Sequence, residues 1–582
     1  MTASSFVAFA ARSKFVAPCA IAAIDAPITE KIKNRFMPTM KHRNGKSCDD
    51  FWSAATCRRF QRPDMPAQSH LRFQKASLRE AVRVAHRATA TVEPLQSAPS
   101  ADLVRDLKIM PADRKQNLIL FLPDQQRADT LACYGGVKVH APNLNKLASE
   151  SVIFERAYVT HPVCTPSRSS LMTGTWPHIN GCTRNSVPLD QRFLVFPELM
   201  EDKDYRNAYL GKWHLGEDGP AERGFQQWVS TDDHGDYTNF LLSKNITPDK
   251  SNERFSELAI SNLPLELSRP RFLEKHACEF IEKHQRDPFI LVVGFVEPHS
   301  PYHGPLNDEH PLNEVELDKT AILPESEDIP LRYRLMREWQ QAEAILDRER
   351  LPTQLFFGIT PDEYRSIKQR YLGLVTLVDQ SIGAILACLE RFGLCDDTIV
   401  VHTSDHGDSL GAHHLFGKET MFEEAARVPF LIRRPGETRS KTIQQPVSHI
   451  DFVPTLLDLL GQPNHPQCAG KSLLPVINEA AAPPDNVFLE WAPNRTKIKK
   501  GTRLARRRLI KRAVEESTRT VVSPDGWKLC LRDKDSNELF NLKDDPFETR
   551  NLYSDRQYAS VISRLTGEIH RWQESARDKL RI

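Results

Sequence analysis

Apolar residues in the central part of the chain follow two patterns. Four short runs are mostly apolar without alternation, at 118–122, 289–296, 398–403 and 428–432, which is typical of strands buried on both faces of a sheet. Between them apolar residues recur at helical spacing, most clearly over 363–392. Strands that alternate with amphipathic helices predict an α/β fold, with a large mixed, mostly parallel sheet covered by helices on both faces.

The pattern changes after about residue 484. Short strand-like runs occur at 487–491, 519–522 and 527–531, and the Asp-Gly pair between the last two is typical of a hairpin. An amphipathic stretch near the end predicts a closing helix. We therefore expect a small C-terminal α+β subdomain at 484–582, built on an antiparallel sheet, beside a large α/β domain at 115–483.

Residues 1–114 differ from the rest in composition. They are rich in Ala, Arg, Ser and Pro, and basic residues outnumber acidic ones roughly twofold. An apolar run at 15–24 resembles a signal peptide only faintly, because Pro18 interrupts it and no clean small-residue cleavage site follows. We expect a disordered or non-native extension here, with a transit-like arm as the alternative.

Composition narrows the class of protein further. The 582 residues carry a formal net charge of +2, which does not indicate a nucleic-acid partner, and no apolar stretch approaches the length of a membrane span. The 11 cysteines are scattered without a CxxC pair or zinc-ligand spacing, so they predict neither a disulfide framework nor a zinc site. Reduced thiols favour the cytoplasm, with the periplasm or secretion as alternatives.

The most informative motif is CTPSRSSLMTG at 164–174. The fixed φ of Pro166 suits the first turn of a helix, which would place Cys164 and Arg168 on one face at its positive end. The motif resembles the signature of type I sulfatases, in the alkaline-phosphatase superfamily. This resemblance implies an alkaline-phosphatase-like fold. It also implies that a formylglycine-generating enzyme oxidises Cys164, and that the hydrated formylglycine attacks the sulfur of a sulfate ester.

Metal-binding side chains follow two of the predicted strands. Asp124 and Gln125 come after the first strand, and Asp405 and His406 after the third. The carboxyl ends of such strands lie at one edge of an open sheet, where oxygen and imidazole ligands suit a divalent cation. The resemblance implies Ca²⁺, with Mn²⁺ or Mg²⁺ open, and adds modified Cys164 as a ligand. Gln125 departs from the second aspartate usual in sulfatases. The Asp-Gln pair resembles the related phosphonate monoester and phosphodiester hydrolases, and also some bacterial sulfatases.

Three further motifs supply basic side chains. Lys212 and His214 are two apart in GKWHLG, so an extended chain would point both to one side. His299 lies in PHSP after the second strand, and Lys418 lies in FGK after the third. The resemblance implies that Lys212, His299 and Lys418 bind sulfate and that Arg168 holds the modified residue and the metal ligands. It further implies that His214 is the base that releases sulfate and that His299 is placed to protonate the leaving oxygen.

Three functions remain open on these residues. The first is hydrolysis of an aryl or carbohydrate sulfate. The second is hydrolysis of a phosphonate monoester or phosphodiester, favoured by the Asp124-Gln125 pair. The third is non-catalytic binding of sulfated glycans through the pocket and a basic run at 497–512. The non-catalytic function is disfavoured, because a mere binding protein need not keep a base, an acid and a metal site together. Of the two hydrolases we favour the sulfatase, which the motif at 164–174 resembles. For the basic run alone, a solvated helix face or loop insertion is the favoured interpretation.

Overall fold

The structure is a computed structural model. It describes residues 115–136, 138–216, 219, 223–231, 235–251, 254–350, 360–479 and 484–582. The extension expected at 1–114 lies outside the described residues.

Nine strands of the described residues form the larger sheet. They are β1 (Asn117–Phe121), β2 (Val152–Tyr158), β3 (Arg206–Gly211), β4 (Gln227–Val229), β5 (Phe289–Gly294), β6 (Thr398–Thr403), β7 (Arg427–Val428), β8 (Phe430–Arg433) and β9 (Lys441–Ser448). Their order is β4-β3-β5-β1-β6-β8-β2-β7, with β9 also paired to β2. Strands β4, β3, β5, β1 and β6 are parallel, whereas β8 is antiparallel to both of its neighbours. The mixed, mostly parallel sheet predicted from the apolar runs is confirmed.

The helices of the described residues connect the strands and pack around them. They are α1 (Pro142–Ser149), α2 (Cys164–Thr173), α3 (Pro177–Asn180), α4 (Phe196–Leu199), α5 (Asp236–Ser243), α6 (Glu257–Ser261), α7 (Arg269–Lys283), α8 (Lys319–Ile322), α9 (Leu331–Arg350), α10 (Pro361–Arg391), α11 (Glu423–Ala426), α12 (Phe452–Leu459), α13 (Leu474–Ile477), α14 (Arg507–Val514) and α15 (Ala559–Ser575).

Successive side chains of β1 point to opposite faces of the sheet, and helices bury both faces. Leu118 and Leu120 point into one core, which also contains residues of α2 and α12. Ile119 and Phe121 point into a second core, which contains residues of α7 and α10. A strand buried on both faces can be apolar at every position, which explains the continuous runs in the sequence.

Helix α10 is the longest in the described residues. It begins with a capping box, in which Thr360 and Glu363 each accept a backbone N–H from the other, and Pro361 occupies the first turn. By length and composition it is apolar enough to cross a membrane, but 72% of its apolar window is buried inside the structure. The apolar face predicted over 363–392 therefore packs against the sheet.

The second sheet contains four strands of the described residues. They are β10 (Val487–Trp491), β11 (Thr518–Val522), β12 (Trp527–Arg532) and β13 (Glu538–Asn541), antiparallel in that order. Gly526 has φ 92° in the turn before β12, a conformation that favours glycine. Helix α15 packs on this sheet through Leu565 and Ile569. The predicted antiparallel α+β region is confirmed, while the domain limits at 483 and 484 stay a prediction.

Candidate active site

Helix α2 carries the motif that the sequence singled out. It begins at Cys164 itself, two residues before Pro166, and every residue in it is buried. Cys164 and Arg168 lie one turn apart and are each 1% exposed. The expected placement of both side chains at the helix N-terminus is therefore present in the structure.

Most of the other predicted site residues lie just after the carboxyl ends of four parallel strands. Asp124 follows β1, Lys212 follows β3, His299 follows β5, and Asp405 with His406 follows β6. Asp124 also forms an isolated bridge with Pro298, which draws the ends of β1 and β5 together. The sheet thus brings residues from four distant parts of the sequence to one edge.

Arg168 ties this edge to the helix. Its Nε donates to Asp405 Oδ2 at 2.7 Å, and its Nη2 donates to Asp124 Oδ2 at 3.2 Å. Its Nη1 donates to the carbonyl oxygen of Lys212 at 2.8 Å. One buried guanidinium therefore fixes the relative positions of two carboxylates, a task for which its planar fork of donors is well suited.

Four side chains form a compact group of potential metal ligands. Asp124, Cys164, Asp405 and His406 are all buried, and their ligand atoms lie within 4.8 Å of one another. His406 Nε2 is 3.6 Å from Asp124 Oδ1 and 3.7 Å from Asp405 Oδ1. Its Nδ1 lies 2.9 Å from the carbonyl oxygen of Gly407, so donation there leaves Nε2 as the ligand nitrogen. Carboxylates with one imidazole fit a divalent cation.

Gln125 lies beside this group, and its amide oxygen is held by Lys418. Its Nε2 donates to Asp408 Oδ2 at 2.5 Å and to Tyr302 Oη at 3.3 Å, while its Oε1 accepts from Lys418 Nζ at 2.8 Å. Because an ionised carboxylate only accepts hydrogen bonds, Asp408 fixes which way the amide points. Asp408 and Tyr302 were not predicted. The sequence signal for Asp408 is its place in the same loop as Asp405.

Positive charge surrounds the Cys164 thiol. Lys418 Nζ is 3.0 Å from Cys164 Sγ, and Lys212 Nζ is 2.7 Å from Asp124 Oδ2. Burial alone would raise the pKa of Asp124, but neighbouring cations, Lys212 foremost, hold it well below its ordinary 3.8. Burial and the Asp124 charge would raise the pKa of the Cys164 thiol, but Lys418 and the other cations hold it well below 9.0. The pocket is therefore built to stabilise an anion.

Two more predicted histidines, His214 and His299, lie near this group. The carbonyl oxygen of His214 accepts from Thr165 Oγ1 at 3.0 Å, which places His214 beside the start of α2. Its buried Nδ1 has no hydrogen-bond partner among the described residues. His299 Nδ1 lies 2.7 Å from the carbonyl oxygen of Ser300, and the charge of His299 is among those that lower the pKa of Asp124.

Backbone conformation also marks this region. Gln125, His214 and Glu419 have φ values of 70°, 58° and 76°, in the left-handed region that non-glycine residues rarely adopt. Each of them either is a predicted site residue or directly follows one in the sequence. Such conformations are concentrated at functional sites, where the surrounding structure holds them in place.

Comparison with known protein families decides the assignment. The model of the sulfatase family matches residues 116–462, more than half of the chain, and a model of the C-terminal part of N-sulphoglucosamine sulphohydrolase matches 411–575. The chain belongs to the sulfatase family. The prediction of a sulfuric ester hydrolase of this family is confirmed.

Relatives of this sulfatase match it over most of their length. The uncharacterised sulfatase YidJ of Escherichia coli is 27% identical over 80% of this chain and 89% of the relative. The N-acetylglucosamine-6-O-sulfatase of Bacteroides thetaiotaomicron is 26% identical over 80% and 87%. The multifunctional alkaline phosphatase superfamily protein PehA of Trinickia caryophylli is 27% identical over 80% and 96%.

Solved structures show the same fold. The phosphonate monoester hydrolase of Agrobacterium radiobacter has a TM-score of 0.63 at 23% identity, covering 79% of this chain and 96% of that one. BT4656 in complex with its substrate D-glucosamine-2-N,6-O-disulfate has a TM-score of 0.63 at 22% identity, covering 80% and 99%. The predicted alkaline-phosphatase-like fold of this sulfatase is confirmed.

Proposed function

We propose that this sulfatase hydrolyses an aryl or carbohydrate sulfate ester, using formylglycine made from Cys164 and a divalent cation. The observation that carries the proposal is the position of Cys164, which lies among three potential metal ligands and against the ammonium group of Lys418. A formylglycine-generating enzyme is the expected maturation partner. The relative named N-acetylglucosamine-6-O-sulfatase supports a carbohydrate substrate.

The residues present fit both the cation and the modification. Asp124, Gln125, Asp405 and His406 would hold Ca²⁺, or Mn²⁺ or Mg²⁺, together with the modified residue 164. When present, formylglycine would supply the attacking hydroxyl after adding water to its aldehyde, and the cation would lower the pKa of that hydroxyl and withdraw charge from the sulfate.

The side chains of this chain would then bind and orient the ester. Lys212, which pairs with Asp124, and Lys418, which contacts Cys164, would neutralise sulfate oxygens. Arg168 holds the two aspartates in place and so keeps the attacking group in line. His299, with Nδ1 directed to a backbone carbonyl, would give the proton on Nε2 to the leaving oxygen. His214 would take the proton that must leave when sulfate is released.

Gln125 gives the second candidate function its support. An amide contributes no negative charge, so the ligand set holds one charge less than a set with two adjacent aspartates. Phosphonate monoesters and phosphodiesters carry one negative charge, as sulfate monoesters do, and the same site could bind either class. The fold similarity to a phosphonate monoester hydrolase keeps this alternative open.

The test compares three small substrates with one protein. The chain is produced together with a formylglycine-generating enzyme, and kcat/KM is measured for an aryl sulfate, an aryl phosphonate monoester and an aryl phosphodiester. We expect the sulfate to be preferred and a chelator to abolish turnover. Cys164→Ala should be inactive, whereas Cys133→Ala, at a cysteine outside the site, should retain activity. Strong preference for the phosphorus esters would favour the second function, and glycan binding without any turnover would favour the non-catalytic one.

A further inference from the structure

The basic run has a defined place in the fold. Between Asn494 and Val514 the sequence has ten Lys or Arg residues and no Asp or Glu. Part of this segment forms α14, which buries Ile510 and Val514 against Leu335 and Trp339 of α9. The apolar side of α14 is therefore anchored, and its basic side faces outwards as a fixed surface.

The charges on this surface are left largely uncompensated. Within the described residues only two of the ten bases form ion pairs, Lys499 with Glu343 and Lys511 with Glu515 at 3.9 Å. Holding like charges together without partners costs stability, so a solvated face alone does not account for the arrangement.

The basic side chains line a groove. A cavity of about 920 Å³ lies between the segment after β10 and α14. Its walls include Arg495, Lys497, Arg507, Arg508 and Lys511, and none of its described lining residues is aromatic. The volume is sufficient for a ligand. Guanidinium groups bind sulfate and carboxylate through paired hydrogen bonds, so the lining is suited to an anion with such groups.

Hydrogen bonds connect the segment that lines the groove to the active site. Asn494 lies in the sequence between Pro493 and Arg495, which both line the groove. Its Nδ2 donates to Glu419 Oε1 at 2.6 Å. Its Oδ1 accepts from the backbone N–H of Asn185 at 3.3 Å. Asn185 Oδ1 in turn accepts from the N–H of Thr165 at 3.0 Å. Glu419 and Thr165 adjoin the predicted sulfate-binding lysine and the predicted nucleophile, so a short chain of hydrogen bonds links the segment that lines the groove to the active site.

We propose that this groove binds sulfate or carboxylate groups of a polyanionic oligosaccharide, at positions beyond the ester that is cleaved. The proposal rests on the sulfatase function proposed above and narrows its substrate to a multiply charged saccharide chain. Single-stranded nucleic acid is disfavoured as the occupant, because such sites combine basic grooves with aromatic side chains on which bases stack.

The experiment compares two triple variants. Lys497→Gln/Arg507→Gln/Arg508→Gln removes three exposed, unpaired bases of the groove. The control, Arg439→Gln/Arg556→Gln/Lys579→Gln, removes three exposed bases that do not line it. For each protein we measure kcat/KM on an aryl sulfate and the inhibition of that reaction by a heparin hexasaccharide and by an oligodeoxynucleotide of equal net charge.

We expect the inhibition constant of the hexasaccharide to rise about 10- to 100-fold in the groove variant and to change little in the control. This range follows because each of the three lost contacts weakens binding by up to roughly fivefold. The kcat/KM on aryl sulfate should stay within about twofold in both, since a small ester does not reach the groove. An unchanged inhibition constant in the groove variant would overturn the proposal. Equal inhibition by the oligonucleotide, lost equally in that variant, would also overturn it, in favour of unspecific polyanion binding.

The experiments test the groove proposal and the proposed sulfatase function separately. If no protein turns over the aryl sulfate, the proposed function is contradicted, and the groove is then tested by fluorescence anisotropy with the labelled hexasaccharide. Weaker binding by the groove variant than by the control would still support the groove. Equal binding by the two variants would refute it.

Discussion

The hydrogen bond between Gln125 and Asp408 allows us to predict how substitutions at these two positions change the free energy of unfolding. Asp408 is fully buried, and its Oδ1 accepts the N–H groups of Leu410 at 2.8 Å and Gly417 at 2.7 Å. Its Oδ2 accepts from Gln125 Nε2 and from the hydroxyl of Tyr302. An isosteric Gln125→Glu change would therefore place one carboxylate directly against another, and Asp408→Asn would place one amide group against another.

Both single changes should lower the free energy of unfolding. Two like charges about 4 Å apart at an effective dielectric constant of about 20 repel by about 4 kcal/mol. Lys418 offsets part of this repulsion, so we expect Gln125→Glu to cost about 2 to 3 kcal/mol. Asp408→Asn leaves a buried donor unpaired and should cost about 1 to 3 kcal/mol.

The double variant, Gln125→Glu/Asp408→Asn, should recover most of the loss. In it the carboxylate and the amide have exchanged places. The two backbone N–H groups still hold the side-chain oxygen at position 408, so the new amide nitrogen there can donate to the new carboxylate at position 125. We expect a stability within about 1 kcal/mol of the parent and a coupling free energy of about 3 kcal/mol.

The assay is equilibrium unfolding in denaturant for the parent, both single variants and the double variant. A chelator is present throughout, so that a cation cannot bind the new carboxylate and mask its cost. If Gln125→Glu is as stable as the parent, or if the two single effects simply add in the double variant, the amide does not point as the structure shows.

Two further predictions concern buried charges outside the active site. Lys528 is fully buried and pairs with Glu423 at 3.0 Å and Glu548 at 2.8 Å. Lys528→Met should cost about 3 to 5 kcal/mol in denaturant unfolding, because both acids lose this cation and, within the described residues, only Glu423 keeps another, Arg427 at 3.3 Å. A loss below about 1 kcal/mol would contradict this. Burial raises the pKa of Asp451 from 3.8 to about 6, so the folded protein binds a proton more readily and loses stability as pH rises through this range. Asp451→Asn should therefore raise the free energy of unfolding by up to about 3 kcal/mol at pH 7 and have little effect at pH 4, and an equal effect at both pH values would argue against the shift.

The sequence predicts those strands best whose burial is uniform. The run at 398–403 coincides with β6, and 487–491 coincides with β10. The run at 428–432 is split into β7 and β8, because Pro429 has no N–H for the sheet. Strand β2 was not predicted. Partly buried Glu155 and Arg156 interrupt its apolar residues, so its sequence shows neither alternation nor one continuous apolar run.

For the active site, family motifs predict the residues but not the contacts between them. Asp124, Cys164 and Asp405 converge because the carboxyl ends of parallel strands share one edge, which the strand pattern allows one to expect. The contacts of Asp408 with Gln125 and Tyr302 join residues 283 and 106 positions apart. No local pattern carries such information, because only the assembled sheet and its loops bring these side chains together.

The identity of residue 164 in the mature protein tests the account most directly. Trypsin should release residues 157–168, between Arg156 and the cut after Arg168, and the mass of this peptide from protein made in its native host reports the side chain of residue 164. The account predicts the mass of formylglycine, in which oxygen replaces sulfur and two hydrogens are lost. An unmodified thiol in catalytically active protein would contradict it.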